Sequence, residues 1–81
     1  MPNSRTRKNI VGRRVAEARK KTVPFLTQDA LSGKLSVRGV LLDRAAIAKI
    51  ENYQRRVLDY ELKALADVLN VKIDWLLGGK K

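Results

Sequence analysis

The chain has 81 residues, 44% of them hydrophobic, and its formal charge at pH 7 is +10. This length suits one small domain, and the excess of positive charge indicates an anionic partner, with nucleic acid ahead of a membrane surface. The lack of cysteine and histidine excludes disulfides and thiolate metal sites and removes the commonest general base and metal ligand.

The first quarter of the chain concentrates the positive charge. Up to Lys21 there are eight basic residues against one acidic residue. Residues 1–9 include Arg5, Arg7 and Lys8 but no apolar cluster that would anchor them, so we predict a flexible basic arm before a domain at residues 10–79. The arm either keeps the protein in solution or contacts DNA, at its phosphates or in a minor groove.

Two helices are predicted in the first half of the domain. In residues 10–21 the apolar positions follow the spacing of one helical face, and Pro24 ends that helix. Thr27 is suited to cap a second helix, which Arg38 and Gly39 end. The apolar residues expected in the core around these helices are Val11, Val15, Ala18, Phe25, Leu26, Leu31 and Leu35.

A third, short helix is predicted at residues 43–51. Asp43 is suited to cap it, and Ile47 and Ile50 lie three residues apart on the face expected to be buried. The aliphatic connector before the helix, residues 40–42, should be covered, because three exposed aliphatic side chains would be an unusual patch. The opposite face of the helix combines basic and small residues and could approach a polyanion closely: Arg44, Ala45, Ala48 and Lys49.

Two further helices complete the predicted domain. Residues 52–57 lack apolar periodicity and indicate a loop. Asp59 is the expected cap of a fourth helix, which Asn70 ends in a left-handed conformation, and residues 73–77 predict a last helical turn. We therefore expect an all-α fold of about five helices.

The order of these features resembles the XRE/Cro-type helix-turn-helix domains of phage and bacterial repressors. The resemblance covers roughly residues 10–77. Its strongest parts are Thr27 with Gln28, the IxxIEN pattern of residues 47–52, and NVKIDWLL at residues 70–77, where the family commonly has LGVSxxWL.

The resemblance implies a five-helix, lambda-repressor-like fold that binds double-stranded DNA sequence-specifically as a transcriptional regulator, more often a repressor. A homodimer on a palindromic or pseudo-palindromic site would follow. Arg19 and Glu51 match an ion pair between helices 1 and 3 of the family. The positions implied to read base edges are Arg44, Ala45 and Lys49, and Ala48 is added because it, like Ala45, could touch a thymine methyl group. The positions implied at phosphates are Gln28 and Asn52, to which the loop arginines Arg55 and Arg56 are added.

The chain departs from the family pattern around helix 3. Ser36 stands where glycine is usual, and residues 36–42 make the turn before helix 3 longer than the family's. Tyr53 occupies a position that favours glycine, so a positive φ there would be strained.

Other functions remain open from the sequence alone. The chain could be a protein-interaction module, such as an antitoxin whose basic surface binds an acidic partner, or it could bind structured RNA. Its scattered acidic residues offer no catalytic pair, so we expect no enzyme activity, metal, cofactor or small-molecule ligand. No apolar run approaches the roughly 20 residues of a transmembrane helix, and we expect a cytoplasmic protein without membrane association.

Overall fold

The helices fall where the apolar periodicity and the capping residues predict them. A computed structural model describes residues 7–79, and residues 1–6 of the expected arm lie outside this range. The described chain contains five helices and no strand, which confirms the all-α prediction. None of these helices is long and apolar enough to cross a membrane. Their bounds are α1 Gly12–Lys21, α2 Gln28–Val37, α3 Arg44–Glu51, α4 Asp59–Leu69 and α5 Ile73–Leu76.

Capping residues set three of the helix ends, two through a side-chain hydrogen bond and one through its backbone conformation. The Thr27 hydroxyl accepts from the backbone N–H of Ala30 at 3.0 Å, and the Asp43 carboxylate accepts from that of Ala46 at 2.7 Å. Each bond satisfies one of the amides that the first turn of a helix leaves without a partner. Asn70 ends α4 with φ of 56°, in the left-handed region. These predicted caps are confirmed.

The predicted cap of α4 is wrong by one residue. Asp59 is the first residue of the helix, and Leu58 takes the capping position. A leucine side chain has no acceptor, so the capping comes from inside the helix, where the Glu61 carboxylate accepts from the backbone N–H of Leu58 at 2.9 Å. Glu61 is only 3% exposed, and it therefore fixes the chain entering α4.

The core lies where α1 to α4 meet, and α5 covers one end of it. Helix α3 packs against α1 and α2, while α4 packs against α1, α2 and α5. The two isoleucines of α3 are directed into this core, as their spacing predicts. The largest fully buried side chains are Val15, Leu31, Leu35, Leu42, Ile47, Ile50, Leu65 and Leu76.

Two residues expected in the interior are at the surface. Leu26 enters the core, but its neighbour Phe25 is 58% exposed, and its ring centroid lies 5.9 Å from the Arg19 guanidinium. In the connector before α3, Val40 and Leu42 are buried while Leu41 is 85% exposed. In this non-helical segment the side chains alternate between buried and exposed, so the core covers two of the three. The predictions for Phe25 and Leu41 were therefore wrong.

Candidate nucleic-acid interface

Helix α3 presents one buried and one exposed face. Arg44, Ala45 and Lys49 are exposed and Ala48 is half-buried. Residues at these four positions share one face of an α-helix. Neither of the two basic side chains forms a salt bridge with any residue in the described range. The structure thus brings the four predicted base-reading residues together on a surface with two uncompensated positive charges.

A buried network holds this helix at its C-terminal end. The Arg19 guanidinium on α1 donates to both carboxylate oxygens of Glu51 on α3, at 2.7 and 3.0 Å. The two side chains are only 7% and 9% exposed. Arg19 also donates to the backbone carbonyl of Leu26 at 3.1 Å, which ties in the connector before α2. The predicted pair is present, and its low exposure makes it a fixed support for α3.

Gln28 belongs to the same network. Its side-chain nitrogen donates to the Glu51 carboxylate at 3.0 Å, so the first residue of α2 is joined to the last residue of α3. An amide nitrogen carries two hydrogens, and this bond uses one of them. The second remains suited to a phosphate oxygen, and the phosphate contact of Gln28 stays a prediction.

A surface hollow connects α2 with α3. It has a volume of about 500 Å³, and both Gln28 and Arg44 line it. Arg19 lies at the same hollow, while the one acidic side chain there is that of Asp29 in the first turn of α2. The hollow therefore places a predicted phosphate-contacting residue beside a predicted base-reading residue.

The loop after α3 takes the conformation that the family's glycine predicts. Tyr53 has φ of 63°, and its backbone N–H donates to the carbonyl of Ile50 at 3.0 Å. The Arg7 guanidinium lies 4.3 Å from the centre of the Tyr53 ring, a cation–π contact that favours this placement of the tyrosine. Asn52 is exposed, and its side-chain nitrogen donates to the carbonyl of Ala48 at 3.0 Å. The phosphate role of Asn52 stays a prediction.

The two arginines of the loop have different environments. Arg56 is exposed, whereas Arg55 donates to both carboxylate oxygens of Glu61, at 2.9 and 3.1 Å. Burial opposes the ionisation of Glu61, but the hydrogen bonds from Arg55 and from the Leu58 N–H outweigh it and hold the pKa of Glu61 below its ordinary value. The same bond raises the pKa of Arg55. Arg55 thus joins the loop to α4, and the phosphate role predicted for it remains untested.

Asn9 holds α1 and α3 together, a role that the sequence reasoning missed. Its side-chain oxygen accepts from the backbone N–H groups of Val11 and Gly12 at 3.0 and 2.8 Å, at the start of α1. Its nitrogen donates to the carbonyls of Ile50 and Arg55 at 3.1 and 2.8 Å. Asparagine just before a helix is a capping signal that was available in the sequence. The contacts with the end of α3 had no local signal.

Lys8 is also attached to the loop after α3. Its backbone N–H donates to the carbonyl of Tyr53 at 2.9 Å. Its side chain lines a hollow of about 350 Å³ together with Arg55 and Arg56. Three basic residues therefore meet at this edge of the domain.

Comparison with known proteins identifies a family. A family model described as helix-turn-helix matches residues 26–76, more than half of the chain, from the residue before the Thr27 cap to the end of α5. No curated protein and no solved structure matches the chain significantly.

Proposed function

Since this chain belongs to the XRE/Cro-type helix-turn-helix family of DNA-binding transcription regulators, we propose that it acts as a sequence-specific repressor that reads the major groove with α3. The observation that carries the proposal is the exposed face of α3. It combines two basic side chains that have no salt-bridge partner among the described residues with small residues that permit close approach. The Arg19–Glu51 pair behind it supports a fixed orientation of the helix.

The side chains proposed to read bases would make different kinds of contact. Arg44 lies in the first turn of α3, the part of such a helix that meets base edges, and its guanidinium can donate two bonds to guanine O6 and N7. Lys49 can reach the same acceptors. Ala45 and Ala48 can lie against a thymine methyl group.

Contacts with the phosphates would supply the affinity that depends on salt concentration. We assign them to the Gln28 amide, to Asn52, and to the basic edge where Arg55, Arg56 and Lys8 meet. Residues 7–9 of the predicted arm are held against the domain at this edge, and the basic chain before them would extend the phosphate contacts.

A homodimer on a palindromic or pseudo-palindromic site fits this proposal. A single module of this size makes few base contacts, and two-fold pairing doubles them. Selection of bound duplexes from a random DNA pool tests both points, since a palindrome with half-sites about one helical turn apart is the expected result.

The selected site then allows the roles of two residues to be separated. We expect Arg44→Ala to weaken binding to that site by about 1–3 kcal/mol and to weaken binding to random DNA much less. Gln28→Ala should weaken both similarly, because a phosphate contact carries no sequence information. Titration of labelled duplexes at one fixed salt concentration measures both effects.

Equal losses on both kinds of DNA in the Arg44 variant would remove α3 from the reading role. Co-purification of a partner protein, together with an absence of any selected site, would instead favour the antitoxin-like alternative.

A further inference from the structure

The connector before α3 displays an exposed aliphatic side chain on an anchored stretch of backbone. Leu41 is 85% exposed, but its neighbours Val40 and Leu42 are only 6% and 1% exposed. The backbone N–H of Val40 also donates to the carbonyl of Leu35 at 3.0 Å. Because the chain is anchored on both sides, the backbone at Leu41 is held in place and would lose little conformational freedom on binding.

The surroundings of Leu41 combine an apolar surface with positive charge. Val37, the last residue of α2 and four residues before Leu41 in the chain, is also 84% exposed. Exposed basic residues, Arg38 and Arg44, precede and follow Leu41 in the chain. The nearby Asp43 carboxylate is engaged in capping α3. A ligand with apolar groups among negative charges is therefore favoured over a second copy of this basic chain.

The location of Leu41 indicates which ligand surface it meets. It lies two residues before the cap of α3, and the N-terminal end of a recognition helix is the part that meets base edges in the major groove. A hollow of about 350 Å³ opens here between α2 and α3, with Leu41, Ser32 and Ala46 among its lining residues. The apolar group that DNA displays in the major groove is the 5-methyl group of thymine.

We propose that Leu41 contacts the methyl group of a thymine next to the bases read by Arg44, and so contributes to specificity. The inference rests on the proposed function, because it needs α3 in the major groove. It adds a base contact made by the connector between α2 and α3, outside the exposed face of α3.

The test removes the methyl group and the leucine separately and together. Each thymine of the selected site is replaced in turn by deoxyuridine, which lacks only the methyl group, and duplex binding is titrated with the full-length chain and with Leu41→Ala. With the unchanged chain, one thymine position in each half-site should be sensitive: a single replacement there should raise the Kd about fourfold, which corresponds to the burial of one methylene-sized group. With Leu41→Ala, the same replacement should have no effect.

The control variant is Val23→Ala, which shortens an aliphatic side chain that is 96% exposed and lies between α1 and α2. It should retain the fourfold sensitivity. Melting curves should show little change for either variant, because both side chains are largely in solvent.

The proposal is refuted if every replacement weakens binding equally in the unchanged chain and in Leu41→Ala. It is also refuted if Leu41→Ala changes only self-association in sedimentation experiments, since Leu41 would then serve contacts between copies of the chain. If the random pool yields no preferred site, the proposed function itself fails. A preferred site without the deoxyuridine effect would refute only the role of Leu41.

Discussion

Gly12 lies where α1 packs closely against the end of α3. A Cβ atom at this position would overlap the backbone carbonyl oxygen of Ile50 and crowd that of Glu51. Backbone atoms in a packed helix cannot move aside as a flexible side chain can. The absence of a side chain at Gly12 therefore allows the close contact of α1 with the helix proposed to read DNA.

This close contact predicts opposite effects for two glycine-to-alanine substitutions. Gly12→Ala should lower the free energy of unfolding by about 1–3 kcal/mol, because it forces the two helices apart. Gly33→Ala is the matched control within α2, since nothing lies within 4 Å of the added atom, and it should raise the free energy of unfolding by about 1 kcal/mol through helix propensity. Urea unfolding followed by Trp75 fluorescence measures both. A neutral Gly12→Ala would contradict the packing of α1 on α3.

Asn9 shows how one side chain can determine the relation of two elements. It caps the start of α1 with its oxygen and holds the end of α3 with its nitrogen. The helix that carries the proposed reading face is thus fixed by Asn9, by the Arg19–Glu51 pair and by the close approach at Gly12.

Helix α4 depends on an ion pair that links it to the loop after α3. The pKa of Glu61 is lowered in the folded chain, so the folded state binds its proton less readily than the unfolded state does. The stabilisation is therefore fully present above the ordinary value of 4.5 and is lost as the pH falls through 4.5 towards the lower folded value.

Substitution of Glu61 should remove this dependence on pH. We expect Glu61→Gln to lower the free energy of unfolding at pH 7 by about 1–3 kcal/mol, because Arg55 and the Leu58 N–H lose a charged acceptor. The acid-induced loss of stability between pH 6 and about 3 should become shallower, as melting temperatures across that range would show. Asp67→Asn is the matched control in the same helix, since Asp67 pairs with Lys63 on the surface, with side chains 49% and 71% exposed. Equal pH profiles for the two variants would show that Glu61 is not the source of the acid-induced loss of stability.

The charge of the whole molecule links its stability to its proposed partner. The formal charge of +10 on 81 residues means that positive side chains repel one another in the compact state, and a bound polyanion relieves this repulsion. Dissolved salt screens the same repulsion, but it also weakens binding to phosphates.

Stability and DNA affinity should therefore respond to salt in opposite directions. We expect the melting temperature of the free protein to rise between about 20 mM and 500 mM sodium chloride, and the affinity for duplex DNA to fall steeply over the same range. Thermal melts and fluorescence anisotropy, with protein from one preparation, measure the two trends. A melting temperature that falls with salt would mean that attraction between charges outweighs repulsion in the folded chain.

The sequence by itself determined the features that depend on neighbours in the chain. Apolar spacing placed the helices to within about two residues, and the caps Thr27, Asp43 and Asn70 were recognisable because a cap bonds to amides or adopts a backbone conformation within its own turn. The Arg19–Glu51 pair was predicted only through the family resemblance, since the two residues are far apart in the chain.

The tertiary structure alone decided features that depend on distant residues. Phe25 and Leu41 are exposed because the core had room for only one side of each connector. Likewise, Gln28 bonds to Glu51, and Asn9 reaches the end of α3, only once α1, α2 and α3 have packed together. Local pattern determines where a helix begins and ends, but packing determines which of its side chains remain available to a partner.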